Sequence, residues 1–159
     1  MTLDLRERPR RNRKSAAIRA ACRETYLGPE HFIYPLFVHG GDDDVPIASM
    51  PGCNRLSIAG LMKEIEQAVD VGVRMVALFP KIPESLKDST GTESYNPQGL
   101  IPDVLKRVKD RWPELMLVTD VALDPYSSDG HDGIVAPDGR ILNDETVEVL
   151  CKQALAQAE

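Results

Sequence analysis

The sequence has few of the features that mark disulfide-rich, thiolate-metal or membrane proteins. Its three cysteines, Cys22, Cys53 and Cys151, are odd in number, far apart and without a Cys-x-x-Cys pair. That usage indicates neither a disulfide framework nor a cysteine zinc site, and it favours a reducing compartment. No apolar run approaches the ~20 residues that cross a bilayer, and the first residues lack the apolar stretch of a signal peptide. We therefore expect a cytoplasmic protein with no membrane partner.

The composition is that of one globular domain preceded by a basic arm. Of the 159 residues, 42% are hydrophobic and 28% are charged, and the net charge is −6. Residues 1–24 nevertheless carry eight Lys or Arg against three Asp or Glu. We predict an arm over residues 1–30, with a basic run at 8–14 and a short helix at 15–25. The arm can dock on a partner subunit or contact nucleic acid, but a basic run without aromatics on an acidic body is a weak nucleic-acid signal, so we expect no nucleic acid.

Apolar periodicity predicts three strand–helix units within residues 31–159. Near-continuous apolar runs at 31–38, 75–79 and 115–121 are typical of buried parallel strands. Helical spacing follows each run: Ser57 caps a helix that ends at Gly72, Asn96 opens a second that reaches Trp112, and Asn143 opens a third. Strand, helix and strand in this order imply right-handed parallel units and an α/β fold.

The connections and the last helix complete this prediction. Residues 40–46 and 49–52 are predicted to be loops, the acidic run at 42–44 being a solvated tip, and residues 134–142 a small hairpin. Because the helical pattern reaches Glu159 without a Gly or Pro terminator, we expect either a fragment of a larger barrel or a chain that other chains complete. The apolar stripe of the last helix is predicted to be buried, and it consists of Val147, Leu150, Ala154, Leu155 and Ala158.

An acidic loop at residues 119–133 holds the best candidates for chemistry. Asp120 falls at the end of the third predicted strand, and Asp124, Asp129, His131 and Asp132 follow within the loop. Like charges at this density repel unless a cation or hydrogen-bond donors compensate them. Oxygen donors favour Mg²⁺, K⁺ or Ca²⁺ over zinc. The other interpretation is a turn rich in Asx hydrogen bonds, and the residues alone leave both open.

Neighbouring residues carry weaker signals. The imidazole of His131 can bind a cation, but a histidine in a Gly-rich turn more often hydrogen-bonds its own loop. Ser127 and Ser128 are expected to cap the loop backbone. Lys81 is the lysine at the end of a predicted strand, and we do not assign it a Schiff base. An EF-hand is excluded because the sixth residue counted from Asp124 is not Gly.

Four motifs together resemble one known family. They are SMPG at 49–52, ESYNPQGL at 93–100, TDVALDPYSSDGHDG at 119–133 and NDETVEVL at 143–150. The chain from about residue 8 to 159 is similar to porphobilinogen synthase (5-aminolaevulinic acid dehydratase), in its aspartate-rich, non-zinc variety. In that family such a segment is the amino-terminal half of a (β/α)8 TIM barrel with an extended N-terminal arm, so residues 31–159 would be its first three to four βα units.

The resemblance implies a lyase reaction and a set of site residues. The family condenses two molecules of 5-aminolaevulinic acid, with loss of two waters, into porphobilinogen for heme and chlorophyll biosynthesis. Ala122, Asp124 and Asp132 stand where zinc-using members have cysteines, so zinc is disfavoured and Mg²⁺ or K⁺ is expected, unless Asp124 and Asp132 hold the substrate ammonium. Asp120 matches an aspartate near the substrate amine.

The resemblance also implies what this chain does not supply. Two Schiff-base lysines of the family lie on later strands, so we expect the chain alone to be inactive. The family docks its arm on a neighbouring barrel, which predicts a homo-oligomer built from dimers, a hexamer or an octamer, and in a photosynthetic eukaryote a plastid location. The alternatives are a truncated subunit that modulates assembly and an unrelated Mg²⁺-dependent barrel enzyme.

Overall fold

The computed structural model describes residues 10–159, so the first part of the predicted arm and of its basic run lies outside the described residues. Within the described part, helix α1 spans Ala16–Ala21, where Ser15 accepts a hydrogen bond from the Ile18 amide and caps it. This confirms a short helix that ends earlier than predicted. All residues from 10 to 27 are exposed. Residues 10–27 therefore bury no side chain against the body, whereas Gly28, near the end of the arm, is buried.

A mainly parallel sheet forms the centre of the body. Its strands are β1 (Ile33–His39), β2 (Val45–Pro46), β3 (Asn54–Leu56), β4 (Met75–Lys81) and β5 (Met116–Thr119), in the order β2-β3-β1-β4-β5. The β1, β4 and β5 strands are parallel neighbours in continuous register. The three predicted strands are thus confirmed, and their carboxyl ends meet at one edge of the sheet.

Helices cover one face of this sheet and close the core there. Helix α2 (Ile58–Asp70) follows β3, α3 (Leu100–Arg111) follows β4, and α4 (Asn143–Ala158) follows β5. Ser57 caps α2 as predicted, because its Oγ accepts the Gly60 amide at 3.1 Å. Alternate strand side chains pack against α2 and α3, and the fully buried members of this core are Val38, Leu61, Ile65, Val76, Leu78, Val104 and Val108.

Two short strands that the sequence did not indicate, β2 and β3, lie within and just after the two loops predicted to follow β1. β3 pairs parallel to β1, and β2 pairs antiparallel to β3. The predicted solvated tip at 42–44 is confirmed, since all three residues are exposed, but Asp44 has a further role: its Oδ1 accepts hydrogen bonds from the Ser57 amide at 2.8 Å and the Ser57 hydroxyl at 2.9 Å. Asp44 therefore fixes the start of α2, where a carboxylate also suits the helix dipole.

Two boundaries differ from the prediction for local reasons. The second helix begins at Leu100 rather than after Asn96, because Asn96 Oδ1 accepts the Gln98 amide at 3.0 Å and closes a turn instead. Pro102 then lies in the first turn, where its missing N–H is harmless. β4 continues through Pro80 to Lys81, since a proline near a strand end interrupts little of the ladder.

Helix α4 buries a different face from the predicted one. Its buried residues are Thr146, Val149 and Gln153, whereas Val147 and Leu155 are 49% and 64% exposed. The predicted apolar stripe is therefore wrong as a description of what this chain buries. The physical reason is a row of hydrogen bonds from the polar face of α4 to the acidic loop, described below.

The second face of the sheet has no covering element within residues 10–159. Ile33 of β1 and Met116 of β5 flank Met75 of β4 in register, and they are 51% and 56% exposed. An apolar sheet face is thus open on the side that leads to the acidic loop.

No helix in the described part of the chain is long and apolar enough to cross a membrane.

Candidate active site

The acidic loop lies at the carboxyl ends of the parallel strands. Because β5 ends at Thr119, Asp120 is the first residue beyond the sheet. A cavity of about 190 Å³ opens here between the strand ends and the loop. The rings of Phe37 and Phe79, with centroids 5.8 Å apart, form its apolar side. The whole lining consists of Phe37, Phe79, Pro80, Asp120, Ala122, Asp124, Pro125 and Tyr126.

Two of the aspartates singled out from the sequence lie at this cavity, and a third lies beside them. Asp120 and Asp124 both line it, and Asp132 lies within hydrogen-bonding reach of Asp124; all three residues remain exposed on one side. Loss of hydration raises the pKa of Asp124, and the hydrogen bond and charge of Asp132, with the charge of Asp120, raise it further. The folded chain thus holds two neighbouring carboxyl groups that an added positive charge would stabilise.

Tyr126 is a buried residue of the cavity lining. Its side chain is 4% exposed, and burial raises the pKa of its hydroxyl, to which the negative charges of Glu93, Asp120 and Asp124 add. The hydroxyl therefore stays protonated at any physiological pH. A neutral hydrogen-bond donor lies among carboxylates at this position.

The other residues proposed from the sequence serve the loop itself. His131 Nδ1 accepts the Gly133 amide at 3.1 Å, and Ser127 Oγ accepts the Asp129 amide at 3.1 Å. Both contacts confirm the predicted local hydrogen bonding. Lys81 Nζ pairs with Glu84 at 3.0 Å, outside the cavity lining.

Sequence reasoning missed the loop that supports the acidic loop from the side. The Asp88 amide donates to the Tyr126 carbonyl at 3.3 Å, and its carbonyl accepts the Ser128 amide at 2.9 Å. Its carboxylate accepts the amides and hydroxyls of Thr90 and Thr92. The signal was present as Asp-x-Thr-x-Thr, a pattern in which a carboxylate organises its own turn.

Asp88→Ala is expected to lower the urea midpoint of the chain at pH 7 and not at pH 2. Although partial burial opposes it, hydrogen bonding by the threonines lowers the pKa of Asp88 to about 2. A depressed pKa contributes stability above the unfolded value of about 4 and loses it as the pH falls through the folded value. Urea titrations of both proteins at pH 7, 4 and 2 measure the difference. A gap between the two midpoints that is independent of pH would contradict a role for the carboxylate charge.

The charged side chains at the cavity are oxygen donors. Within residues 10–159, no group of three His, Cys, Asp or Glu side chains is arranged to hold a metal ion. Asp124 and Asp132 offer carboxylate oxygens, while Ala122 between Asp120 and Asp124 offers no side-chain ligand. Carboxylates alone favour Mg²⁺, K⁺ or an ammonium over a thiophilic metal.

Comparisons with known proteins agree on one family. Residues 6–159 match the family model described as delta-aminolevulinic acid dehydratase. The chloroplastic delta-aminolevulinic acid dehydratase of Selaginella martensii is 63% identical, and the match covers 99% of this chain and 38% of that protein. The chloroplastic protein of Glycine max is 59% identical, with 99% and 39% covered. The chain thus spans well under half the length of these relatives.

A solved structure gives the same result for the fold. The delta-aminolevulinic acid dehydratase (porphobilinogen synthase) of Toxoplasma gondii, in complex with the reaction product porphobilinogen, superposes with a TM-score of 0.90 at 49% identity. The match covers 99% of this chain and 45% of that one. The α/β arrangement described above is therefore the arrangement of the corresponding part of that enzyme.

Proposed function

This chain belongs to the delta-aminolevulinic acid dehydratase family, and we propose that it forms the amino-terminal portion of a porphobilinogen synthase. The reaction condenses two molecules of 5-aminolaevulinic acid into porphobilinogen with loss of two waters, which makes the whole enzyme a hydro-lyase. The observation that carries the proposal is the cluster of Asp120, Asp124 and Asp132 at the carboxyl ends of parallel strands. Barrel enzymes place their active sites at this end.

The open sheet face supports a barrel as the complete fold. Parallel sheets are covered on both faces, because their strands are apolar on both sides. In this chain α2, α3 and α4 cover one face, while Ile33, Met116 and Val118 leave the other exposed. These residues lie in rows across β1, β4 and β5, as the inward-facing layers of a (β/α)8 barrel do. We assign the remaining strands of the barrel to a segment equivalent to the part of the longer relatives that this chain does not match.

The carboxyl pair supports recognition of a positive group on the substrate. An ammonium group donates up to three hydrogen bonds, and charge-assisted bonds to carboxylates are the strong ones. Asp124 and Asp132 repel each other in the free chain, and an entering ammonium would relieve that repulsion. We assign Asp120 to the substrate amine on the same side of the cavity. For Asp124 and Asp132 we also assign this ammonium group as the preferred ligand.

The second ligand for this pair is a hard cation. Asp124 and Asp132 would hold Mg²⁺ or K⁺ with water completing the coordination, and such an ion would supply charge compensation at the cavity. The ammonium assignment is preferred because, within the described residues, no group of three His, Cys, Asp or Glu side chains is arranged to hold a metal ion. Zinc is not proposed.

The exposed arm supports a homo-oligomer. Residues 10–27 are exposed throughout, and Tyr26 and Leu27 are 65% and 66% exposed. Apolar side chains on a basic arm suit docking on the acidic body of another subunit. The names of the Selaginella and Glycine relatives favour a plastid location over the cytoplasm.

A chimera tests the proposed function. Residues 1–159 joined to the part of the S. martensii protein beyond the matched region are expected to form porphobilinogen from 5-aminolaevulinic acid. The chain alone is expected to form none, because the reaction needs Schiff-base lysines. Lys81, the lysine at the end of β4, pairs with Glu84 and lies outside the cavity lining. The two separate halves serve as controls. A folded chimera without product, or product from the chain alone, would contradict the proposal.

A truncated subunit that modulates assembly is the second candidate, and the exposed arm is the observation in its favour. Mixing the chain with the intact S. martensii enzyme and sizing the complex by light scattering separates the two functions. Removal of residues 1–30 from the chain is the matched control, since it deletes the docking surface and keeps the sheet.

A further inference from the structure

We propose that helix α4 is the positioning element of the acidic loop, and that Thr146, Gln153 and Gln157 are its positioning residues. Each of the three side chains hydrogen-bonds the backbone of the segment that carries the aspartates or follows them. None of the three lines the cavity. Their effect on the reaction is exerted through Asp120 and Asp124, and in that respect the inference rests on the proposed function.

The three contacts form one row along α4. Residues 153 and 157 lie seven and eleven positions after residue 146, so all three share one helix face. The Ile134 amide donates to Thr146 Oγ1 at 3.0 Å, Gln153 Nε2 donates to the Ala122 carbonyl at 3.1 Å, and Gln157 Nε2 donates to the Asp120 carbonyl at 3.2 Å. Contacts in this reversed order show that the helix and the loop segment lie side by side in opposite directions.

Burial shows that these contacts decide the orientation of the helix. Gln153 is fully buried, and its Oε1 has no hydrogen-bond partner within the described chain. Burying a polar atom without a partner costs free energy, while Leu155 on the outer face remains exposed. The hydrogen bonds to the loop compensate for this arrangement.

The consequence concerns the geometry of the carboxylates. Ala122 lies midway between Asp120 and Asp124, so holding its carbonyl holds both residues on the cavity. A displacement of about 1 Å in a reacting group can lower a rate about a hundredfold. A fixed backbone at Asp120 and Ala122 is therefore a requirement of a preorganised site.

Gln153→Met in the 159-residue chain tests the inference. Methionine keeps the length of the side chain and removes both its donor and its unpartnered oxygen, so the midpoint of thermal unfolding is expected to change little. Carbon-detected NMR is expected to show a shifted Ala122 carbonyl resonance, faster amide exchange over residues 120–124 and a pKa of Asp124 closer to the ordinary value. In the chimera, kcat/KM is expected to fall about tenfold to a hundredfold.

Two further variants make the result decisive. Glu148→Met places the same residue on the exposed side of α4 and is expected to change none of the NMR signals. Gln157→Met repeats the test at Asp120, should Gln153→Met fail to fold. Unchanged signals at residues 120–124 in a folded Gln153→Met chain would overturn the inference, as would unfolding of both glutamine variants. An inactive chimera with the expected NMR changes would instead count against the proposed function alone.

Discussion

Replacing Asp124 and Asp132 by asparagine is expected to stabilise the folded chain at neutral pH and to remove most of the activity of the chimera. The two carboxyl groups are neighbours beside the cavity, where partial loss of hydration and then the nearby Asp132 and Asp120 raise the pKa of Asp124. Neutral amides keep the shape of both side chains and end the repulsion. The same change removes the charge that we assign to binding the substrate ammonium.

The pH dependence of this stabilisation has a definite sign. A carboxyl whose folded-state pKa is raised contributes stability below its unfolded value of about 4, and this contribution is lost as the pH rises through the folded value. The double variant has no carboxyl group at either position, so its stability does not fall in this way as the pH rises. The difference in unfolding free energy between variant and parent is therefore expected to be smallest near pH 3 and largest at pH 7, as measured by urea unfolding of the 159-residue chain.

The expected loss of activity is large. Two charge-assisted hydrogen bonds contribute roughly 1.5–3 kcal/mol each, so their joint loss lowers kcat/KM by about a hundredfold to ten-thousandfold. Steady-state kinetics of the chimera measure this ratio. Asp129→Asn is the matched control, because Asp129 is an acid of the same loop, exposed as Asp124 and Asp132 are, but it neither lines the cavity nor contributes to the raised pKa of Asp124. Equal losses of stability and activity in the double variant would mean that the acids hold the fold and do not bind substrate.

Ion exchange separates the two ligands proposed for the pair. If Asp124 and Asp132 bind the substrate ammonium, chelation of divalent ions and replacement of K⁺ by Na⁺ leave the effect of the double variant on kcat/KM unchanged. If they hold Mg²⁺ or K⁺, depletion of that ion reproduces the effect in the parent chimera and abolishes its dependence on the ion in the variant.

The sequence predicted the parts of the site that depend on strand ends. Asp120 follows an apolar run, and the carboxyl ends of parallel strands meet at one edge, so its place beside the cavity needed no long-range information. The loop hydrogen bonds of Ser127 and His131 followed from local turn chemistry. By contrast, β3 has only three residues and no alternating pattern, so its pairing with β1 could be recognised only in three dimensions.

Helix α4 shows where periodicity fails. Its apolar residues suggested a buried stripe at Leu155, whereas Gln153 is the fully buried residue. Hydrophobic spacing reports the average environment of a helix, but the row of hydrogen bonds from Thr146, Gln153 and Gln157 is specific to this fold. Sequence patterns misjudge a residue where function places a polar contact in the interior.

Leu123→Ala is expected to lower the unfolding free energy of the chain by about 2.7–5.0 kcal/mol, the range for a buried leucine that leaves a cavity. Leu123 is 1% exposed, and its carbonyl accepts the amides of Tyr126 at 2.9 Å and Ser127 at 2.8 Å. Its side chain packs against Gly91, where an added Cβ would lie 3.2 Å from Leu123 Cδ2. Leu123 therefore anchors the acidic loop to the neighbouring loop, and urea unfolding of the 159-residue chain measures the loss.

Leu155→Ala is the matched control, and it gives the Leu123 experiment a second use. Leu155 is 64% exposed, so the same substitution is expected to change the stability of the 159-residue chain by no more than about 0.5 kcal/mol. In the chimera, further strands and helices of a closed barrel would cover the outer stripe of α4, and Leu155→Ala would then become destabilising. A loss at Leu123 no larger than that at Leu155 in the isolated chain would contradict the anchoring role. An unchanged effect of Leu155→Ala in the chimera would count against a barrel that covers α4.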